Sequence, residues 1–241
     1  MSARKSGPPM PALAEVRARW LGAVTAALRD DPRVAGAALV GSLGAGTADD
    51  WSDVDLLVVV DDAHLDDYAT AQRLPGRPAF AVDARHNGPR GTRAVSGQYL
   101  VAGLPLWADW HVHPASRAGW PRDGAVVFDR RGIGRLPLTF SEHLDAGERE
   151  PATRKGDDVR RAMRLALVPV AGKHVARRSP GTVPTIEFLG GACAPDASWE
   201  EHLAGLRRLL GELAGAGTPA GVAATRAYLD LVAEALRRPA S

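Results

Sequence analysis

Apolar residues in the first part of the chain recur with two different periods. Between Pro11 and about Leu28 they return every three or four positions, which predicts a helix with one buried face. Val34–Val40 and Val54–Val60 are instead nearly continuous apolar runs, which predict strands covered on both faces. A helix followed by two buried strands favours an α/β unit at the start of the chain.

Shorter segments of both kinds follow. We predict a helix over His64–Leu74, and a turn at Gly103 between two strands. The later predicted strands cover Pro78–Asp83, Gln98–Ala102, Leu104–His113 and Ala125–Asp129.

Strand signals fade beyond residue 148 and helical patterns replace them. We predict a helix over 154–178, kinked at Pro169 because proline cannot donate its backbone hydrogen bond. Ser198 opens a capping box for a helix to about Leu213, and Thr218 caps a last helix to about Arg238. The predicted fold is therefore α+β. It comprises a loose tail over 1–10, a domain over 11–148 with a mixed sheet and flanking helices, and an all-helical domain over 152–241.

Composition and charge narrow the possible partners. With 45% hydrophobic and 24% charged residues and a formal charge of +2, the chain is typical of a globular protein, and a nucleic-acid partner is not expected. A lone cysteine, Cys193, excludes an internal disulfide and has no activating neighbour. Prolines near the N-terminus argue against a signal peptide, and the apolar runs are too short to span a bilayer. We expect a cytoplasmic protein without a membrane partner.

The segment from Val40 to Val60 carries the candidate chemistry. A strand ends at Gly41 and Ser42, a glycine-rich turn containing Gly46 follows, and the next strand opens with Asp53 and Asp55. Side chains two positions apart on a strand point the same way, so the two carboxylates can converge on one cation. Mg²⁺ prefers such oxygen ligands together with substrate phosphates, and glycines let backbone N–H groups approach those phosphates.

The distribution of charges supports a phosphate substrate. Residues 34–72 contain eight aspartates and no lysine or arginine, so a polyphosphate would need a cation to bind there. Lys173 and Arg177 share one face of a later helix and are candidates to hold the triphosphate from across a cleft. Asp109 interrupts an apolar strand and is our candidate for a third metal ligand or a general base, with Asp83 as second choice.

The motif resembles that of the nucleotidyltransferase superfamily with the DNA polymerase beta fold, and more closely that of enzymes which modify aminoglycosides or lincosamides. Those proteins commonly carry Gly-Ser-x-Ala-Arg-Gly-x-Ala-x-x-x-Ser-Asp-x-Asp. The chain matches this motif at Gly41, Ser42, Gly46, Ala48, Ser52, Asp53 and Asp55. It departs at Gly44 and at Ala45, where arginine is frequent. The resemblance implies Mg²⁺-dependent transfer of a nucleoside monophosphate, with ATP as donor and a small hydroxylated acceptor such as an antibiotic.

Several alternatives accompany this interpretation. The three glycines also suit a dinucleotide-binding turn, although residues 47–53 are too short for the helix such a site needs. His111 and His113 are spaced like zinc ligands but lack a third. Asp109 has a structural alternative, as a buried carboxylate paired with a nearby base. Asp53 and Asp55 would also suit a solvated turn before a strand, and Lys173 a solvated helix face. The fold would also suit a protein-modifying or toxin–antitoxin-type transferase, or a nucleotide-binding module without turnover.

Overall fold

The computed structural model describes residues 11–238 except 69, 71 and 72. The predicted tail over 1–10 lies outside these residues. Within them, one mixed six-stranded sheet is flanked by helices and followed by a helical region, so the α+β prediction is confirmed. None of the helices described here has both the length and the apolar character needed to cross a membrane.

The strands are numbered in chain order. They are β1 Val34–Val40, β2 Val54–Val60, β3 Phe80–Asp83, β4 Arg93–Val101, β5 Leu104–Pro114 and β6 Ala125–Asp129. The α-helices are α1 Pro11–Asp30, α2 Gly41–Gly44, α3 Leu65–Tyr68, α4 Phe140–Asp145, α5 Asp157–Ala176, α6 Thr182–Phe188, α7 Trp199–Leu213 and α8 Pro219–Arg237.

The sheet order is β3-β4-β5-β2-β1-β6. β2 and β5 pair in parallel, whereas every other neighbouring pair is antiparallel. β4 and β5 form a hairpin whose two turn residues, Ala102 and Gly103, have φ of 50° and 78°. Two consecutive positive φ values are typical of the tight turns that match strand twist, and they fix the register of this hairpin.

Separate apolar clusters cover the two faces of the sheet. Even-numbered residues of β2 pack with Trp20 and Leu28 of α1 on one face. On the opposite face, Leu57 and Val59 pack with Trp120 and Phe140. Covering on both sides explains why the β2 sequence is a continuous apolar run interrupted only by Asp55.

The helical region has its own core, which also reaches the first part of the chain. Residues of α5, α6, α7 and α8 form one cluster that includes Leu13 of α1 and Trp51. The rings of Trp51 and Tyr228 meet edge to face at 5.6 Å. Gln98 Nε2 on β4 donates a 2.9 Å hydrogen bond to the carbonyl of Ala166 on α5. The helices are thus packed against the sheet and against the loop that leads to Asp53. The division of the chain near 148–152 stays a prediction.

Helix caps follow the sequence closely. Ser198 and Glu201 form the predicted capping box, and the Thr218 side chain caps α8 with Pro219 in the first turn. Pro169 lies inside α5, and the kink expected there stays a prediction.

The largest error concerns the predicted helix over His64–Leu74. Among the residues of this segment that the structure describes, the α-helix covers Leu65–Tyr68, after a short 3₁₀ turn, and residues 73–74 lie in a turn and a bend. The Tyr68 hydroxyl bonds to Asp31, and the Thr70 hydroxyl donates to the carbonyl of Asp67 at 3.2 Å. The Thr70 bond to a nearby carbonyl competes with the helical hydrogen-bond ladder, and the Tyr68 bond ties the segment to a residue distant in the chain. Apolar spacing alone therefore misled the prediction.

Other differences are smaller. β3 begins two residues later than predicted and β4 five residues earlier. Two short helices, α4 and α6, were not predicted.

Candidate functional site

Two aspartates face each other at the centre of the sheet. Asp55, the second residue of β2, is the register partner of Asp109 in β5 and of Val40 at the end of β1. Ser96 of β4 lies opposite Asp109 on the other side. A row of four residues therefore crosses four strands, and both of its carboxylates are partly buried.

Asp53 joins this pair from the residue before Val54. Because Val54, Leu56 and Val58 pack into the core under α1, the odd-numbered side chains project to the opposite face. The negative charge of Asp53 acts on both Asp55 and Asp109. The structure thus brings together the three aspartates that the sequence analysis proposed as a group.

Burial and nearby negative charge make Asp55 and Asp109 difficult to ionise together. Burial, followed by the charges of Asp109 and Asp53, raises the pKa of Asp55 to about 7. Burial also raises the pKa of Asp109 to about 6, although the hydrogen bond from Ser96 opposes the shift. Close carboxylates with raised pKa values are stabilised by a positive charge placed between them.

Lys173 supplies positive charge to this group. The side chain extends from α5, and its ammonium contacts the carboxylate of Asp53, with exposed fractions of 12% and 24% for the two side chains. The same ammonium favours the ionised forms of Asp55 and Asp109. Lys173 was proposed to bind the triphosphate; in this structure it lies in the site and pairs with an aspartate.

Two further side chains hold Asp109, and the sequence analysis gave neither of them this role. The Ser96 hydroxyl donates to Oδ1 of Asp109. The indole Nε1 of Trp107 donates to both oxygens, at 3.3 and 3.2 Å. A signal for Ser96 exists in the sequence, because the two-residue turn at Ala102–Gly103 fixes the register that places it opposite Asp109.

Gly41 lies directly against the carboxylate of Asp55. Its φ is +59°, and a Cβ atom at this position would run into the Asp55 side chain. The close approach of backbone to carboxylate therefore requires glycine for two independent reasons.

The predicted glycine-rich turn is a single helical turn. Ala45 N–H donates to the Gly41 carbonyl at 3.0 Å, and Thr47 N–H donates to the Ser42 carbonyl at 2.9 Å. Ser42 is the residue after Gly41, the glycine that lies against Asp55. Gly46 is exposed with a φ of +67° and open space around its Cα atom.

The side chains of this site have the chemistry expected for a hard divalent cation, because carboxylate oxygens are the ligands such ions prefer. Among the residues the structure describes, however, no cluster of three or more side chains is already arranged around a cation position. Asp53 instead contacts Lys173. An ion bound to these aspartates would therefore have to displace or share that contact.

The alternative site residues occupy other environments. Asp83 lies on the edge strand β3, where its carboxylate accepts hydrogen bonds from Arg85 Nε at 2.7 Å and from the Arg85 backbone at 2.9 Å. His111 and His113 are buried, and their rings pack against Phe140 at 4.8 Å and His143 at 5.4 Å. Both histidines belong to the packing between the sheet and α4.

The dinucleotide-binding alternative does not fit the observed topology. β1 and β2 pair antiparallel and are separated by one helical turn and a loop. A dinucleotide-binding turn requires parallel strands joined by a crossover helix.

One comparison with known proteins matches the first part of the chain. A family model described as "Nucleotidyltransferase domain" matches residues 23–84, the segment that contains Gly41, Asp53 and Asp55. No curated protein matches the sequence.

Among solved structures, a STING-associated CdnE c-di-GMP synthase from Capnocytophaga granulosa shows 14% sequence identity and a TM-score of 0.36. That similarity covers 96% of this chain and 83% of the other, and its TM-score is too low to bear on function. Proteins with this domain use a nucleoside triphosphate and generally a divalent metal ion. The match over residues 23–84 indicates a nucleotidyltransferase.

Proposed function

We propose that this enzyme transfers a nucleoside monophosphate, AMP from ATP, to a hydroxyl group of a small molecule. The observation that supports the proposal best is the meeting of Asp53, Asp55 and Asp109 on one face of the sheet, beside the turn at Gly41 and Ser42. An antibiotic acceptor is suggested only by the resemblance of the motif around Gly41–Asp55 to that of antibiotic-modifying transferases.

Asp53 and Asp55 would hold Mg²⁺, with Asp109 as a further ligand or as the base. A bound ion of this kind stabilises the negative charge that develops on the phosphate oxygens during transfer. Its positive charge would also remove the repulsion that raises the pKa of Asp55. Gly41, Ser42 and Gly46 would lie along the phosphates, and Lys173 would turn its ammonium toward the same phosphates.

The reaction exchanges one phosphorus–oxygen bond for another. The oxygen of the acceptor hydroxyl forms a bond to the α-phosphorus, and the bond from that phosphorus to the leaving pyrophosphate breaks. The hydroxyl proton passes to a base, for which Asp109 is the best placed group. Its raised pKa, near 6, suits a group that accepts a proton at neutral pH.

The test uses ATP labelled at the α-phosphate, with Mg²⁺ and a panel of aminoglycosides, lincosamides and proteins. We expect the label on a small-molecule acceptor, with release of pyrophosphate. Asp53→Asn and Asp55→Asn should abolish transfer while the fold is retained. Asp66→Asn is the matched control, because Asp66 is an exposed carboxylate that pairs with Arg93.

Two results would contradict the proposal in different ways. Label that appears on a protein would favour the protein-modifying alternative over a small acceptor. Normal turnover in Asp53→Asn or Asp55→Asn would remove these residues from the site.

A further inference from the structure

The four residues before Asp53 form a closed turn. The carboxylate of Asp49 accepts hydrogen bonds from Trp51 N–H at 3.1 Å and from the Ser52 hydroxyl at 2.9 Å. The Ser52 hydroxyl in turn accepts the Asp49 N–H at 3.0 Å. An aspartate that bonds to the backbone two residues ahead is a common way to fix a turn, and this turn leads directly into Asp53.

An arginine from the helical region binds the side chains of this turn. Arg177 donates from Nε to Oδ2 of Asp49 at 2.9 Å, and its Nη2 contacts Oδ1, which makes the pair bidentate. The same Nη2 lies 3.3 Å from the Ser52 hydroxyl. Exposed fractions are 23% for Arg177 and 18% for Asp49. Although burial opposes it, the hydrogen bonds from Arg177 keep the pKa of Asp49 below its usual value.

A second arginine, on α1, binds the backbone of the same turn. Arg17 of α1 donates from Nη1 to the carbonyl oxygens of Asp49, Asp50 and Ser52, at 2.9, 3.3 and 3.1 Å. Three carbonyls that converge on one guanidinium leave this backbone little freedom. The turn is therefore held from both sides by elements distant in the chain.

Backbone hydrogen bonds at the C-terminal end of α5 fix the position of Arg177. Arg177 is the C-cap residue, and Arg178 follows with a φ of +49°. Ser179 N–H donates to the His174 carbonyl at 3.0 Å and Arg178 N–H to the Val175 carbonyl at 2.9 Å. These two bonds form the C-terminal motif that usually has glycine at the left-handed position. Arg177 lies one helical turn beyond Lys173, so α5 contacts both ends of the segment from Asp49 to Asp53.

We propose that Arg177 is a positioning residue for nucleotidyl transfer, which holds Asp49 so that the turn presents Asp53 to the metal ion. The proposal rests on the proposed function, because it assigns Asp53 to the metal. Arg177 itself touches neither metal nor substrate in this role. Arg17 supports the same turn from α1.

The test is a titration of the purified full-length chain with Mn²⁺ in the absence of nucleotide, followed by measurement of kcat and KM. Arg177→Gln should weaken Mn²⁺ binding by about tenfold, in the range expected for loss of a charged hydrogen-bonded pair. Its kcat should recover at saturating metal, which a merely unstable protein would not show. Arg178→Gln is the matched control, because that side chain reaches the carbonyl of Leu236 instead.

A second variant covers the case in which Arg177→Gln does not fold. Asp49→Asn removes the negative charge that pairs with Arg177 but keeps a side-chain oxygen that can accept the hydrogen bonds of the turn. It should weaken Mn²⁺ binding to a similar extent, and the double variant should be no weaker than either single one, because both changes remove one interaction. Wild-type Mn²⁺ affinity in Asp49→Asn, or in folded Arg177→Gln, would overturn the proposal.

Asp53→Asn separates this proposal from the proposed function. If Asp53→Asn loses Mn²⁺ binding whereas Arg177→Gln and Asp49→Asn keep it, only the positioning role is wrong. If Asp53→Asn binds Mn²⁺ normally, the metal assignment itself fails, and the positioning role fails with it.

Discussion

The ammonium of Lys173 contacts the carboxylate of Asp53 across 120 positions of sequence. The two groups meet because α5 packs against the sheet through residues of its own. Lys173 therefore acts as a counter-charge to Asp53 and also to Asp55 and Asp109, which burial has made difficult to ionise. Any metal ion that binds Asp53 must compete with this ammonium.

This competition makes the effect of Lys173→Met predictable. Without the ammonium, the divalent cation gains an unshared Asp53 oxygen, so Mn²⁺ affinity without nucleotide should rise by about tenfold. Nucleotide affinity should fall, because the proposed phosphate partner is lost. Calorimetry with Mn²⁺ alone and then with ATP measures both. Lys173→Arg keeps the charge and serves as the control. Weaker Mn²⁺ binding in Lys173→Met would show that the lysine does not compete for the site.

Gly41 and Gly46 form a matched pair for substitution. Both have a positive φ, so alanine carries a similar backbone cost of about 1–2 kcal/mol at either position. Only at Gly41 would the new Cβ run into Asp55, whereas Gly46 has open space. Gly41→Ala should therefore lower Mn²⁺ affinity by about tenfold or more, and Gly46→Ala should change it by less than about twofold. Equal losses of affinity in the two variants would show that backbone strain, not contact with Asp55, is responsible.

The bounds of the central strands, and the side of the sheet on which Asp53 and Asp55 lie, could be predicted because both depend on local patterns. β1 and β2 have the predicted bounds, since a strand buried on both faces is a continuous apolar run between polar ends. Alternation along β2 then placed Asp53 and Asp55 on one side without knowledge of the neighbours. The caps at Ser198 and Thr218 were equally local.

The contacts that complete the site depend on tertiary packing and could not be predicted in the same way. Charge alone indicated that Lys173 and Arg177 lie across from the acidic segment, but not that they pair with Asp53 and Asp49. Arg17 gave no signal, because its partners are backbone carbonyls. By contrast, α4 was missed although its capping box from Thr139 to Glu142 is visible in the sequence.

The free energy of unfolding should fall in acid because of His113, which is buried between β5 and α4. Burial, together with nearby His111, His143 and Arg117, lowers its pKa to about 3. The folded protein thus resists protonation of this ring, whereas the unfolded chain accepts the proton near pH 6.5. Stability linked to His113 is present above pH 6.5 and is lost as pH falls below it, at about 1.4 kcal/mol between pH 7.5 and 5.5.

Urea unfolding at these two pH values, in the wild type and in His113→Gln, measures this contribution. The variant should be less stable at pH 7.5, since glutamine does not reproduce the packing of the ring. Its loss of stability on acidification should nevertheless be smaller by about 1.4 kcal/mol. His111 remains and titrates in the same direction, so some acid sensitivity persists. Identical pH dependence in the two proteins would show that His113 is not buried as a neutral ring.

Asp109 should act in the chemical step more than in nucleotide binding. Its carboxylate is held by Ser96 and Trp107 beside Asp55, at the point where a metal ion or an acceptor proton would lie. Asp109→Asn should leave ATP affinity nearly unchanged and lower the single-turnover rate by about a hundredfold or more. If Asp109 is the base, Mn²⁺ affinity is unaffected; if it is a ligand, Mn²⁺ affinity falls together with the rate. Because burial of this carboxylate already opposes its ionisation, neutral asparagine should not lower the melting temperature. A lower melting temperature with normal turnover of the folded fraction would assign Asp109 a structural role and remove it from the site.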